Sequence, residues 1–200
     1  MSASTKINNN NKNSQYSNFC VAFGSNVFSK LGSPLELINQ AMKEIQTSEF
    51  ELLLTSKLYE TVVYPKGSGP DFINCCSVYR TKLSAFETLL HLHRIEKSLG
   101  RIRNKRWAPR VIDLDLIYFG RLIHPNQKVV EEWIVLSKEK QMELWPTEMI
   151  LPHPRLQDRV FVLVPMSDID PNWKHPILKN TVSDMIKNID PKLLTQIKKI

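Results

Sequence analysis

Cysteine is scarce in this 200-residue chain: Cys20, Cys75 and Cys76 are the only three. The adjacent pair Cys75–Cys76 does not easily bridge to itself, and no C-x-x-C or Cys/His spacing exists to hold zinc. All three fall in apolar stretches. They therefore read as reduced thiols buried in strands, since free cysteine buries like a small hydrophobe and a reducing compartment keeps it so. No apolar run approaches the ~18 residues of a membrane span. The first residues, MSASTKINNNNKNSQYSN, have no apolar core of the kind a secretory leader needs. These absences point to a soluble, cytoplasmic protein with no membrane partner. Neither GxxxxGKS nor GxxxxGKT occurs, which excludes a Walker-type phosphate loop, and no GxGxxG of the kinase or dinucleotide kind is present. His91 and His93 do not form H-E-x-x-H, no Ser-His-Asp spacing can be argued, and no segment repeats.

The composition that remains is that of an ordinary globular protein. Hydrophobic residues make up 42% and charged residues 24%, enough to build a core and to solvate a surface. The length favours one domain. Net charge is +7, and five cations, Arg101, Arg103, Lys105, Arg106 and Arg110, fall between Gly100 and Arg110 without a single acid. The excess is therefore local. A local cluster suits a polyphosphate, whereas nucleic acid is served by a longer stripe.

Residues 1–17 are rich in Asn, Ser and Lys and are expected to form a disordered tail before one domain over 18–200. Phe19–Phe23 reads as a strand ending in the turn signal Gly24-Ser25-Asn26. Ser33-Pro34-Leu35-Glu36 is a capping box with proline at the first helical position, opening a helix to about Gln46. Glu51–Thr61 and Phe72–Arg80 read as strands flanking a loop rich in Gly and Pro. Ser84-Ala85-Phe86-Glu87 is a second capping box. Its helix runs to about Leu99 and stops at Gly100, with Ala85, Leu89, Leu92 and Leu99 as the buried stripe and Glu96 lying on it. Val111–Phe119 is a further strand. Val129–Leu144 reads as a helix broken by Trp145-Pro146. Leu151-Pro152-His153-Pro154-Arg155 is a rigid turn. Asp158–Met166 is expected as a helix capped by Asp158, with helical pieces at Thr181–Ile189 and Lys192–Ile197. The order β-α-β-β-α-β matches a ferredoxin-like α+β sheet whose helices cover one face. Its apolar strands call for a cover on the second face too, supplied by the C-terminal third.

Asp113 and Asp115 interrupt the last strand. Side chains alternate along a strand, so both point to one face, together with Ile117 and Phe119. Two like charges in a core strand repel and are costly to desolvate. A cation between them resolves this, and Mg²⁺ suits hard oxygen ligands, taking one or two carboxylates plus phosphate oxygens. The basic loop leading into this strand reads as a phosphate clamp, and Trp107 within it as a ring able to close over a ligand. His153, fixed between prolines, could donate to a phosphate, although a lone histidine is more often structural. Phe72, Asn74 and Phe161 offer two aromatic faces and an amide for a planar heterocycle, although from the residues alone core packing is much the better account of each. Arg159 says little by itself. An RNA-binding module of similar strand order is disfavoured: the two aspartates would repel a phosphate backbone, and the aromatic RNA-binding signature is absent.

FGSN after the first strand, then RWAPRVIDLDLIYFG, then LPHPRLQDRVF resemble the 6-hydroxymethyl-7,8-dihydropterin pyrophosphokinase family of folate biosynthesis, in order and spacing over about residues 19–190. The resemblance implies an α+β, ferredoxin-like core with helices on both faces, a three-layer arrangement. It implies transfer of pyrophosphate from ATP to the pterin hydroxymethyl group, with release of AMP, by a monomer. Asp113 and Asp115 would then bind two Mg²⁺ ions. Arg101 and Arg110 would contact the triphosphate and His153 the α-phosphate, with Glu96 beside the ATP contacts. Arg103 and Trp107 would belong to a closing loop. Phe72 and Phe161 would sandwich the pterin, Asn74 would read its edge, and Arg159 would lie by the same pocket. The chain departs from the family pattern in a shorter basic loop, in Pro154 where an aromatic often follows the histidine, in Val62-Val63 where prolines are usual, and in 129–148, which looks like an insertion.

Overall fold

The computed structural model describes residues 16–63, 67, 69–101 and 110–200, so Arg103, Lys105, Arg106 and Trp107 of the basic loop lie outside the described residues. Strand β1, Ser17–Ser25, leads to helix α1, Pro34–Ile45. Strands β2, Phe50–Thr55, and β3, Tyr59–Thr61, precede β4, Phe72–Thr81, and helix α2, Ala85–Ser98, returns the chain to β5, Asp113–Phe119. Helices α3, Gln127–Ile134, and α4, Lys138–Glu143, follow. A 3-10 turn at Leu156–Asp158 leads to α5, Val160–Ile169, then α6, Val182–Lys187, the single turn α7, Pro191–Leu194, and β6, Ile197–Lys199.

The sheet is mixed with helices but itself antiparallel. β1 lies between β5 and β4, the far edge of β4 is shared by β2 and β3, and β6 lies beyond β3. Because strand side chains alternate, β1 serves two apolar clusters. Phe19, Val21 and Phe23 pack with Ile38 and Ile45 of α1 and Leu92 and Ile95 of α2. Cys20 and Ala22 pack with Val162, Leu163 and Met166 of α5 and Val182 and Met185 of α6. Both expected capping boxes form. The Ser33 and Ser84 backbone N–H groups each donate to the glutamate three residues on, at 2.8 Å. Helix α2 is followed by Gly100 at φ +88°, a left-handed position that favours glycine.

Five expectations change. The expected helix Val129–Leu144 is divided into α3, capped by Asn126, and α4, capped by Ser137. The expected strand 51–61 is divided, because the Ser56 hydroxyl accepts from the Cys76 N–H at 2.9 Å and donates to the Lys57 carbonyl at 2.7 Å. Asp168 of α5 then accepts from the Lys57 N–H at 3.1 Å and the Tyr59 hydroxyl at 3.0 Å, redirecting the chain. Asp158 is not a helix cap: it lies in the 3-10 turn, and Arg159 takes the cap position with no side-chain capping bond. Residues 192–197 give one helical turn and then β6, which pairs with the otherwise open edge of β3. Lastly, Cys20 pairs with Tyr118 and Val21 with Leu116, leaving Ile117 unmatched. A bulge of one residue moves everything beyond it to the opposite face. Ile117 therefore shares the side of the aspartates, while Phe119 joins Phe19 in the other cluster.

Candidate active site

The site begins with a row across the sheet. Gly24 pairs with Asn74 on one side and Asp113 on the other, and Ala22 pairs likewise with Cys76 and Asp115. Paired residues point the same way, so the two aspartates and Asn74 share one face over a floor of small residues. A Cβ on Gly24 would stand 3.2 Å from Asn74 Oδ1 and 3.9 Å from Asp113 Cβ. The missing side chain keeps a cleft of about 360 Å³ open above the sheet. Phe72, Asn74, Arg110, Asp113, Asp115, Arg159 and Phe161 all line it.

The carboxylates are neutralised separately. Asp113 pairs with Arg110 and with Arg101, while Asp115 pairs with Arg159 at 2.7 Å. Burial alone would raise the Asp115 pKa, but Arg159, His153 and Arg110 together outweigh that and hold the carboxyl well below the usual range. Arg159 also lies over the Phe161 ring, 5.6 Å from its centroid, within cation–π reach. Behind this front sits Glu96, 1% exposed, pairing with Arg101 and accepting from the Leu114 N–H at 2.8 Å. The buried acid of α2 thus holds both β5 and the first arginine of the basic stretch.

His153 lies in a second pocket of about 280 Å³, beside Trp133 and Trp145, with Arg159 on the wall shared by both pockets. The Arg155 N–H donates to His153 Nδ1 at 3.1 Å, so the neutral ring carries its proton on Nε2. Burial, aided by Arg159 and opposed by Asp115, pushes the His153 pKa down to about 3. Arg103 and Trp107 lie outside the described residues.

Two residues passed unnoticed in the sequence. Asn26 ties the surrounding loops together: its Oδ1 accepts from the Arg110 N–H at 2.9 Å, and its Nδ2 donates to the Pro70 carbonyl at 3.0 Å. Thr61 accepts from Asn74 Nδ2 at 2.7 Å. The turn signal at Gly24-Ser25-Asn26 marked a turn but not its partners, which are distant in the chain.

Among the described residues no group of three or more His, Cys, Asp or Glu could hold a metal by itself. Two carboxylates on one face fit the habit of Mg²⁺, which completes its shell with phosphate oxygens and water, and do not fit a structural zinc site.

A family model described as 7,8-dihydro-6-hydroxymethylpterin-pyrophosphokinase matches residues 20–171. A folic acid synthesis protein of Dictyostelium discoideum is 34% identical over 92% of this chain and 25% of its own length. The 2-amino-4-hydroxy-6-hydroxymethyldihydropteridine pyrophosphokinase of Haemophilus influenzae is 31% identical over 74% of this chain and 79% of its own length. The protein of the same name from Synechocystis is 37% identical, with 60% of this chain and 52% of that protein covered. The chain thus spans about a quarter of the Dictyostelium protein and about half of the Synechocystis one. Among solved structures, Plasmodium falciparum HPPK-DHPS with pterin and p-hydroxybenzoate is similar in fold, with a TM-score of 0.64 at 15% identity, covering 93% of this chain and 47% of that one.

Proposed function

This chain belongs to the 7,8-dihydro-6-hydroxymethylpterin-pyrophosphokinase family, and from that premise we propose that it transfers pyrophosphate from ATP to 6-hydroxymethyl-7,8-dihydropterin in folate biosynthesis. The observation that carries this reading is one cleft lined together by Phe72, Phe161, Asn74, Asp113, Asp115, Arg110 and Arg159. The rings of Phe72 and Phe161 suit a flat heterocycle, which aromatic faces bind well. The Asn74 amide suits its hydrogen-bonding edge.

In the reaction the pterin hydroxymethyl oxygen bonds to the β-phosphorus of ATP. The bond from that phosphorus to the oxygen bridging to the α-phosphorus breaks, AMP leaves with that oxygen, and the hydroxyl proton passes to solvent. Asp113 and Asp115 would hold two Mg²⁺ ions with the triphosphate. When bound, such ions neutralise the phosphate charge and orient the hydroxyl. Asp115, so far below the usual carboxyl range, is a weak base and a good cation ligand, which fits holding rather than proton abstraction. Arg101 and Arg110 already reach the anionic oxygens of Asp113, and in the reaction they would turn to phosphate oxygens, which guanidinium groups bind in a fork. The neutral His153 would offer Nε2–H to the α-phosphate. Arg103 and Trp107 would close over the nucleotide, and Glu96 would hold Arg101 in place.

The fold is proposed as a ferredoxin-like core in three layers. The strand order and the alternation of β1 between two helix-bearing clusters support it. No helix among the described residues is long and apolar enough to cross a membrane. A monomer working in the cytoplasm, with neither nucleic acid nor membrane as partner, completes the proposal. Incubation with ATP, Mg²⁺ and 6-hydroxymethyl-7,8-dihydropterin tests it: AMP and the pterin pyrophosphate should form together. Formation of ADP instead of AMP, or no pterin-dependent turnover, overturns it.

A further inference from the structure

We propose that the C-terminal segment, Pro191–Lys199, forms another wall of the ring-binding cleft, and that Leu193 and Gln196 help decide which ring it accepts. This rests on the pterin reading given above and assigns to it residues beyond the aromatic pair and the amide. Leu193 and Gln196 line the same cleft as Phe72, Asn74 and Phe161. Leu193 is 37% exposed, a large apolar side chain held at the cleft by a single helical turn rather than sunk in a core. That turn is capped locally, because Asp190 accepts from the Lys192 N–H at 2.9 Å. A flat ring lying against Leu193 would remove its surface from water. Gln196 offers one acceptor and two donors to a heterocycle's edge. Both side chains are uncharged, so they act on the shape and edge of a ring and not on polyphosphate charge.

The segment also steadies the side of the cleft it faces. β6 pairs along the whole of β3, Tyr59 with Lys199 and Thr61 with Ile197. The Gln196 carbonyl accepts from the Val62 N–H at 3.3 Å, and the Leu58 carbonyl accepts from the Ile200 N–H at 3.1 Å. β3 has only three residues, and it carries Thr61, the hydrogen-bond partner of Asn74. So short a strand takes its position from both neighbours, β4 on one side and β6 on the other. Val62, held by Gln196, lines the cleft as well.

The test uses the full chain and a Leu193→Ala/Gln196→Ala double variant. Each is titrated with 6-hydroxymethylpterin by fluorescence and assayed for AMP formation. The variant should bind the pterin roughly tenfold more weakly, the scale of losing a few apolar and polar contacts in a pocket. Its KM for ATP should stay within about twofold and its melting temperature should not move. Equal pterin affinity in the two proteins overturns the proposal. So does a parallel loss for both substrates with a lowered melting temperature, because that marks a general structural role. A Leu193→Phe variant provides a second reading, since it narrows the cleft without deleting a side chain and should weaken pterin binding while sparing ATP; unchanged pterin binding there also overturns it. If the unaltered protein binds no pterin at all, the functional reading fails with it, whereas binding unaffected by the substitutions sinks this inference alone.

Discussion

Asp113 and Asp115 stand two residues apart, yet different arginines neutralise them. Strand alternation made their common face readable. Their partners were less so: Arg110 lies three residues from Asp113, but Arg159 lies 44 residues beyond Asp115. An Asp115→Asn substitution keeps size and shape while removing the charge that would hold a cation. AMP formation should drop by about 10³-fold, with the circular dichroism spectrum unchanged; near-normal turnover would remove Asp115 from the chemistry. Arg110→Ala should slow kcat by about 10²-fold through loss of a phosphate contact, and a change of only a few-fold would demote it to a structural partner of Asp113. His153 gives a pH signature. Its pKa falls from 6.5 unperturbed to about 3 in the fold, chiefly through burial. Between those values the unfolded chain binds a proton that the native site refuses. Stability is therefore whole above about pH 6.5 and drains as the pH falls. His153→Gln removes that drain, so its melting temperature should drop less from about pH 7 to about pH 4 than that of the unaltered protein.

Segments whose signals are local came out as read. Both serine–glutamate boxes open helices where the spacing placed them, because a cap bond spans only three residues. Ser84→Ala should cost about 1 kcal/mol in denaturant unfolding and leave KM for both substrates unchanged. Helix α2 does more than pack: it carries Glu96, which binds both Arg101 and the Leu114 N–H. Its place on the apolar stripe was visible in the spacing, but its partners were not. Glu96→Ala leaves the Leu114 N–H and Arg101 short of an acceptor in a buried place. A loss of about 3 kcal/mol is expected, read from urea midpoints; a loss near zero would mean that water replaces the carboxylate. Strands were harder to read than helices. The break between β2 and β3 depends on Asp168, 111 residues from Lys57. The bulge at Ile117 depends on the register against β1, and neither has a local marker.

Taken across the chain, the three thiols report on the fold. Cys20, Cys75 and Cys76 are all free and buried, and burial pushes the thiols of Cys75 and Cys76 up. A thiol reagent should label none of them in the native protein within minutes and all three once denaturant unfolds it; fast native labelling would contradict the burial. Amino-acid order alone was enough for the starts and stops of α1 and α2, the apolar strands β1, β4 and β5, the paired acids and the basic stretch beside them. Each of these is written within a few neighbouring residues, where backbone geometry and side-chain period act directly. Packing decided the rest: the split of β2 from β3, the addition of β6, the bulge that turns Phe119 away from the aspartates, the pairing of Arg159 with Asp115, and the bonds from Asn26 to Arg110 and Pro70. Those pairings close over separations from 44 residues, Asp115 to Arg159, up to 140, Tyr59 to Lys199. At such distances many partners compete, and the choice among them is made by which arrangement buries both apolar clusters and leaves the fewest polar groups unmatched.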